Sequence, residues 1–242
     1  MKLFFSALFC TLALGGLHGE SIGPWDLDHL FQPPTMRWEE RSKPVHALIY
    51  GGEPVHGKET EVFAFYASPQ TLDPNAKGPF PGVVLIHGGG GTAFAEWAWL
   101  WAKRGYAAIA MDLSGRRPGA PQFDDAGVPV PGQANSKETR TKLAKGGLDH
   151  GHGEKFDCIL TDDTSDDWPY HAAASAIRAH SLLRSFDEVD ADSTAVTGIS
   201  WGGYTTCLVA SLDHRFKAAV PVYGCGFLHE GESVQKPSID KL

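Results

Sequence analysis

The sequence predicts an α/β fold of three layers, with helices on both faces of a mostly parallel central sheet. Three observations predict it. Short apolar runs alternate with helical stretches of ten or more residues, the pattern of βαβ units. The runs at 83–86 and 106–111 are almost continuously apolar, as strands covered on both faces must be. The 28 glycines and 16 prolines supply the turns of a loop-rich chain. Of 242 residues, 42% are hydrophobic, which fills one core amply and two thinly. A charged fraction of 21% is that of a folded chain rather than a disordered one. Lys and Arg total 21 against 29 Asp and Glu, for a net charge of −8. A chain this acidic lacks the basic field that nucleic acid or an anionic membrane surface requires, so neither is an expected partner.

Residues 1–19, MKLFFSALFCTLALGGLHG, have the form of a secretory signal peptide. Lys2 precedes an apolar run from Leu3 to Leu14, and Ala13 and Gly15 give a cleavage-like spacing of small residues. The run is too short to span a bilayer comfortably. The expected product is secreted or periplasmic, with no membrane association after cleavage. Residues 20–242 then form one domain. Residues 20–44 read as irregular, and 45–50 and 61–67 as strands separated by Gly51, Gly52 and Gly57. A strand at 83–86 leads to a helix at 92–104, stopped by Gly105, and a strand at 106–111 ends at Asp112. Residues 114–167 form a long Gly-, Pro- and Asp-rich excursion. A helix at 168–186, with Pro169 in its first turn, precedes a strand at 194–199, a helix at 201–212 and a strand at 217–223.

Ligands on such sheets bind beyond the carboxyl ends of the strands. Two glycine-rich turns follow strands here. The first is Gly198-Ile199-Ser200-Trp201-Gly202, a G-x-S-x-G pattern between the strand TAVTGI and the helix WGGYTTCLVASL. A nucleophile elbow needs that placement: a serine on a sharp strand-to-helix turn, with glycines where strand and helix cross. The second is His87-Gly88-Gly89-Gly90-Gly91, directly after VVLI. Its glycines free the backbone to aim N–H donors at a developing oxyanion, one from Gly88 or Gly89 and one from Trp201. A phosphate-cradling loop is the rival reading; the lack of a following Lys-Ser/Thr and of the G-x-G-x-x-G spacing argues against it. His87, ahead of the donor glycines, reads as a structural hydrogen-bonding group. No metal and no cofactor is called for. His150, His152 and the acidic residues 162–167 read as a solvated loop in which Asp166 and Asp167 cap the helix at Trp168, rather than as zinc or calcium ligands.

Cys10 lies in the signal segment, which leaves Cys158, Cys207 and Cys225, an odd number without CxxC spacing. Cys207 and Cys225 stand in apolar stretches and read as small core residues.

The runs VVLIHGGGGTAFAEW, RGYAAIAMDLSG and TAVTGISWGGYTTCLVASLDHRFKAAVPVYGCGF resemble the α/β-hydrolase superfamily. Within it they are similar to secreted bacterial hydrolases grouped with acetylxylan esterases, dienelactone hydrolases and prolyl-oligopeptidase-type peptidases, over about residues 45–228. The resemblance implies a nucleophile at Ser200, oxyanion donors at Gly88 or Gly89 and at Trp201, and acyl-enzyme hydrolysis of a small ester or an acetylated carbohydrate. In that superfamily the acid and the histidine follow the serine along the chain. Only 42 residues follow Ser200 (242 − 200), with one helix and one strand among them. The expected sheet therefore lacks its last two strands, the chain reads as C-terminally truncated, and little activity is expected from it alone. His229 and Glu230, just after the last strand, are the remaining base and acid candidates, with Glu232 beside them. Asp213 and His214 fall at the far end of the sheet, a helix length of about 18 Å from the serine. His171 and His180, nine residues apart on one helix, face opposite ways and form no common site. An oligopeptidase-type serine peptidase and a non-catalytic exported module are the alternatives. An uncovered sheet edge is expected, and the oligomeric state is open.

Overall fold

Apolar side chains alternate face by face along the central strands, and that alternation builds two separate cores. Leu48, Tyr50, Ala64, Tyr66, Val84, Ile86, Ile109 and Met111 point to one face, and Ala47, Ile49, Phe63, Phe65, Val83, Leu85, Ala108 and Ala110 to the other. The computed structural model describes residues 22–132, 136–149, 155, 163 and 167–226. The expected signal peptide and the candidates His229, Glu230 and Glu232 lie outside these residues, as do Asp166, His150 and His152.

In chain order, α1 (Leu27–Leu30) and β1 (Met36–Glu40) precede a hairpin of β2 (His46–Val55) and β3 (Lys58–Ala67). Next come α2 (Pro69–Leu72), β4 (Phe80–Ile86), α3 (Ala95–Ala102) and β5 (Ala107–Met111). The excursion carries two short strands, β6 (Arg116–Arg117) and β7 (Thr141–Lys142), paired with each other. The chain then forms α4 (Trp168–Leu183), β8 (Val189–Ile199), α5 (Trp201–Leu212) and β9 (Ala218–Val222).

The sheet order is β1-β2-β3-β5-β4-β8-β9. The half formed by β5, β4, β8 and β9 is parallel throughout. The half formed by β1, β2 and β3 is antiparallel and joins β5 in antiparallel fashion. Five strands therefore run in one direction, and only β1 and β3 oppose them. Helix α3 covers one face through Ala95, Ala98 and Ala102. Helices α4 and α5 cover the other. Helix α4 is itself overlaid by the segment before β1: Trp25 stacks on Tyr170 with centroids 4.8 Å apart, and Ser181 Oγ donates to the Leu30 carbonyl at 2.8 Å. Residues 20–44 are thus partly regular, with α1 and β1 where an irregular lead was expected.

Two further expectations are corrected. The helix expected from Thr92 starts at Ala95, because the Thr92 hydroxyl donates to Asp112 Oδ2 at 2.7 Å instead of capping a helix. Cys207 is exposed rather than a core residue. The expected bare edge is present among the described residues: β9 is the outermost strand, and Val220 and Tyr223 are 56% and 64% exposed.

Candidate active site at the elbow after β8

Ser200 joins β8 to α5 with φ 58° and ψ −121°. A side chain is held in this left-handed region only when its surroundings over-determine it. The surroundings here are backbone. Ser200 N donates to the Val222 carbonyl at 3.0 Å, and Gly203 N and Tyr204 N donate to the Ser200 carbonyl. A Cβ on Gly198 would lie 2.3 Å from the Gly202 carbonyl oxygen, and one on Gly202 would lie 2.2 Å from that of Ile86. Strand β8, helix α5 and strand β4 therefore meet with no space for side chains, and the elbow is pushed to the top of the sheet. Ser200 is only partly buried there.

The glycine run arrives at the same place. A Cβ on Gly88 would stand 3.3 Å from Ser200 Cβ and 3.9 Å from its Oγ. The two glycine-rich turns, more than a hundred residues apart in sequence, are thus in contact through β4 and β8, which are parallel neighbours. Trp201 is the first residue of α5. Its N–H belongs to the opening turn of the helix, where N–H groups have no intrahelical acceptor.

His87 fixes the run. Its Nε2 accepts from the Leu113 N–H at 3.0 Å, so Nδ1 carries the proton and donates to the Gly88 carbonyl at 2.6 Å. Burial lowers its pKa, which keeps the ring neutral. The Gly91 N–H also reaches the Gly88 carbonyl, at 2.9 Å. Because N–H and C=O of a trans peptide point opposite ways, holding the Gly88 carbonyl toward His87 sends the Gly89 N–H the other way. Sequence reasoning missed Arg140, whose Nη1 donates to the carbonyls of Gly90 and Gly91 at 3.0 and 2.9 Å. A lone arginine in an aperiodic excursion carries no signal for a contact fifty residues away.

His180 is held by partners of its own, away from the elbow. His180 Nδ1 donates to Asp213 Oδ2 at 2.7 Å, and its Nε2 lies 2.8 Å from Thr194 Oγ1. This pair has the chemistry of a base and its orienting acid, but Thr194 precedes Ser200 by six strand residues, about 20 Å of chain. Asp213 is at the far end of α5, as expected. His171 lines a small void with Glu53, Val62 and Asp112. That void lies over β2, β3 and β5. A cavity of about 470 Å³ bordered by His29, Arg37, Glu61 and Arg178 lies over β2 and β3, and Ser200 is not in its wall. Strand β3 is three positions from β8, or about 14 Å. Asp167 holds the N-cap position of α4, but without the side-chain capping bond expected of it.

The buried pair gives a pH prediction. Burial pushes His180 down to about 4, against an ordinary value of 6.5. Burial would raise Asp213, but Arg215 and His180 hold its carboxyl well below the usual range. Below about pH 6.5 the unfolded chain takes up a proton on this histidine that the folded chain refuses until about pH 4. Stability is therefore expected to fall across that window, by roughly 3 kcal/mol from His180. Loss from Asp213 follows at lower pH. Thermal unfolding between pH 7 and 4.5 measures this, and His180→Gln is expected to flatten the profile. An equal slope in both proteins would show that the imidazole is not held neutral.

The family model of acetyl xylan esterase (AXE1) matches residues 55–234, about three-quarters of the chain. The chain belongs to the acetyl xylan esterase family. The acetyl xylan esterase from Paenibacillus sp. R4 is 25% identical, with a TM-score of 0.50 over 79% of this chain and 55% of that one. Acetyl xylan esterase 1 from Thermoanaerobacterium sp. JW/SL YS485 is 16% identical, at a TM-score of 0.48 over 80% and 56%. A dienelactone hydrolase-like promiscuous phosphotriesterase from metagenomic libraries is 20% identical, at a TM-score of 0.40 over 70% and 56%. The chain thus spans little more than half the length of these structures. Membership in the family agrees with the α/β-hydrolase resemblance, and the architecture is that of the α/β-hydrolase fold. No helix among the described residues is long and apolar enough to cross a membrane.

Proposed function

We propose that this protein is a serine carboxylic ester hydrolase that removes acetyl groups from a carbohydrate, with Ser200 as nucleophile. The contact of Gly88 with the Ser200 side chain carries the reading, because it sets a glycine-rich backbone beside a strained serine at the head of a helix. The family supports the ester class. Ser200 Oγ attacks the ester carbonyl while a histidine takes its proton. The N–H groups of Trp201 and of Gly88 or Gly89 hold the oxyanion, the alcohol leaves with the proton from the histidine, and water hydrolyses the acyl-serine. The base and acid that complete this mechanism are not among the described residues; within the chain His229 and Glu230, which follow β9 in sequence, are the candidates, and with neither in place little turnover is expected. No metal or cofactor takes part. The signal-like residues 1–19 place the reaction outside the cytoplasm, in the periplasm or the medium.

Acetate release from acetylated xylo-oligosaccharides, compared with cleavage of peptide p-nitroanilides, tests the reading. Ester cleavage at least a hundredfold faster, by kcat/KM, is expected. Faster amide cleavage would overturn it in favour of a peptidase, and failure of a fluorophosphonate to label Ser200 in the folded protein would remove the nucleophile.

A further inference from the structure

We infer that Cys207 and Cys225 are a disulfide-forming pair that staples the turn after β9 to helix α5, directly behind the Ser200 elbow. The backbone brings them together. Gly203 and Cys207 are four residues apart and share one face of α5. At Gly203 a Cβ would lie 2.1 Å from the Tyr223 carbonyl oxygen, so this face rests on the turn that ends in Cys225. That turn is unusual in itself: Tyr223 and Gly224 both have positive φ, 42° and 73°. It is also seated under the nucleophile, since a Cβ on Gly224 would stand 2.5 Å from the Ser200 carbonyl oxygen. Burial, and then the neighbouring Cys225 thiol, push the Cys207 thiol up. Cys207 is exposed and Cys225 partly so, which gives an external oxidant access.

The chemistry needs a disulfide oxidant, either a low-molecular-weight disulfide or the oxidised form of a dithiol protein. The Cys207 thiolate attacks one sulfur of that disulfide, forming a mixed disulfide and expelling one thiolate. The Cys225 thiolate then attacks the Cys207 sulfur and expels the second. Two protein thiols are oxidised to one disulfide, the oxidant is reduced to two thiols, and the two protons go to the departing thiolates. The closed loop runs from 207 to 225 and includes β9, the exposed edge strand. Oxidation thus tethers the least covered part of the sheet to a helix that is packed on the core.

The 242-residue chain is equilibrated with reduced and oxidised glutathione over a range of ratios, blocked with iodoacetamide, digested and mapped by mass spectrometry. A Cys207–Cys225 cross-linked peptide, about 2 Da lighter than its two thiol halves together, is expected, with Cys158 alkylated. The oxidised protein is expected to melt roughly 5–10 °C above the reduced one, a difference that Cys207→Ser abolishes. Alkylation of both Cys207 and Cys225 at every ratio, or a cross-link from either to Cys158 or to a second chain, overturns the inference. The mapping uses the unmutated chain and no enzymatic readout, so it stands or falls separately from the esterase reading.

Discussion

Replacing Ser200 by alanine is expected to abolish fluorophosphonate labelling and, in an enzyme with its catalytic acid and histidine in place, to lower kcat/KM for p-nitrophenyl acetate by about a millionfold. The effect is this large because nucleophile and base act as one unit: once the oxygen is gone, a positioned base and oxyanion donors leave only residual catalysis. The fold makes a second, opposite expectation about stability. Ser200 sits at φ 58°, where a Cβ costs about 1–3 kcal/mol and glycine pays none of it. Alanine retains the Cβ and should melt close to the wild type. Ser200→Gly should be equally inactive yet melt a few degrees higher, because the strain is released. Circular dichroism melting of the three proteins, beside their labelling by a fluorophosphonate, measures both effects. A glycine variant less stable than the alanine variant would mean that the elbow is not strained. An alanine variant with more than a hundredth of the wild-type rate would mean that another group is the nucleophile.

The elbow and the buried strands were legible because local pattern determines them. Glycines at 198 and 202 around a serine, set between a strand and a helix, have few other uses, and the continuous apolar runs of β4 and β5 fit only a sheet covered on both faces. What escaped reading was decided at long range. Strand β1 has mostly exposed side chains and exists because its backbone pairs with β2. Thr92 has the chemistry of a helix cap, but Asp112, just after β5, takes its hydroxyl. The acidic start of β8, Val-Asp-Ala-Asp-Ser, has no strand pattern and is held as strand partly by pairing of Phe80 and Pro81 with Val189 and Asp190. His180 and Asp213 could be seen as separate residues, but their pairing spans thirty-three positions and two helices. The contact of Gly88 with Ser200 was implied by fold class alone, since two parallel neighbouring strands present their carboxyl-end turns side by side. Arg140 was not implied, because nothing about the excursion sequence specifies how it folds back.

Gly202→Ala is expected to be more damaging than the same change at Gly203 or Gly90, and the neighbours of each glycine show why. An added Cβ at Gly202 would meet the Ile86 carbonyl oxygen at 2.2 Å, the His87 oxygen at 2.7 Å and the Ile86 carbonyl carbon at 2.9 Å. At Gly203 the nearest approach is slightly shorter, 2.1 Å to the Tyr223 oxygen, so a ranking by distance would place Gly203 ahead of Gly202. The ability of the neighbour to yield reverses that order. Ile86 is fully buried in β4, which has β5 on one side and β8 on the other, and moving it would disturb both cores at once. Tyr223 is 64% exposed in the turn beyond the edge strand and can shift into solvent. Gly202→Ala should therefore cost about 3 kcal/mol or more and Gly203→Ala about 1–2 kcal/mol. At Gly90 an added Cβ meets nothing within 4 Å, so Gly90→Ala should stay within about 0.5 kcal/mol of the wild type. In a domain of this size the three values correspond to a loss of roughly 6–12 °C, a loss of a few degrees and no resolved change in melting temperature. Equal losses at Gly202 and Gly203 would show that the β9 turn is as rigid as the sheet centre. That result would be expected of the oxidised, Cys207–Cys225-linked form, so the comparison belongs in reducing buffer.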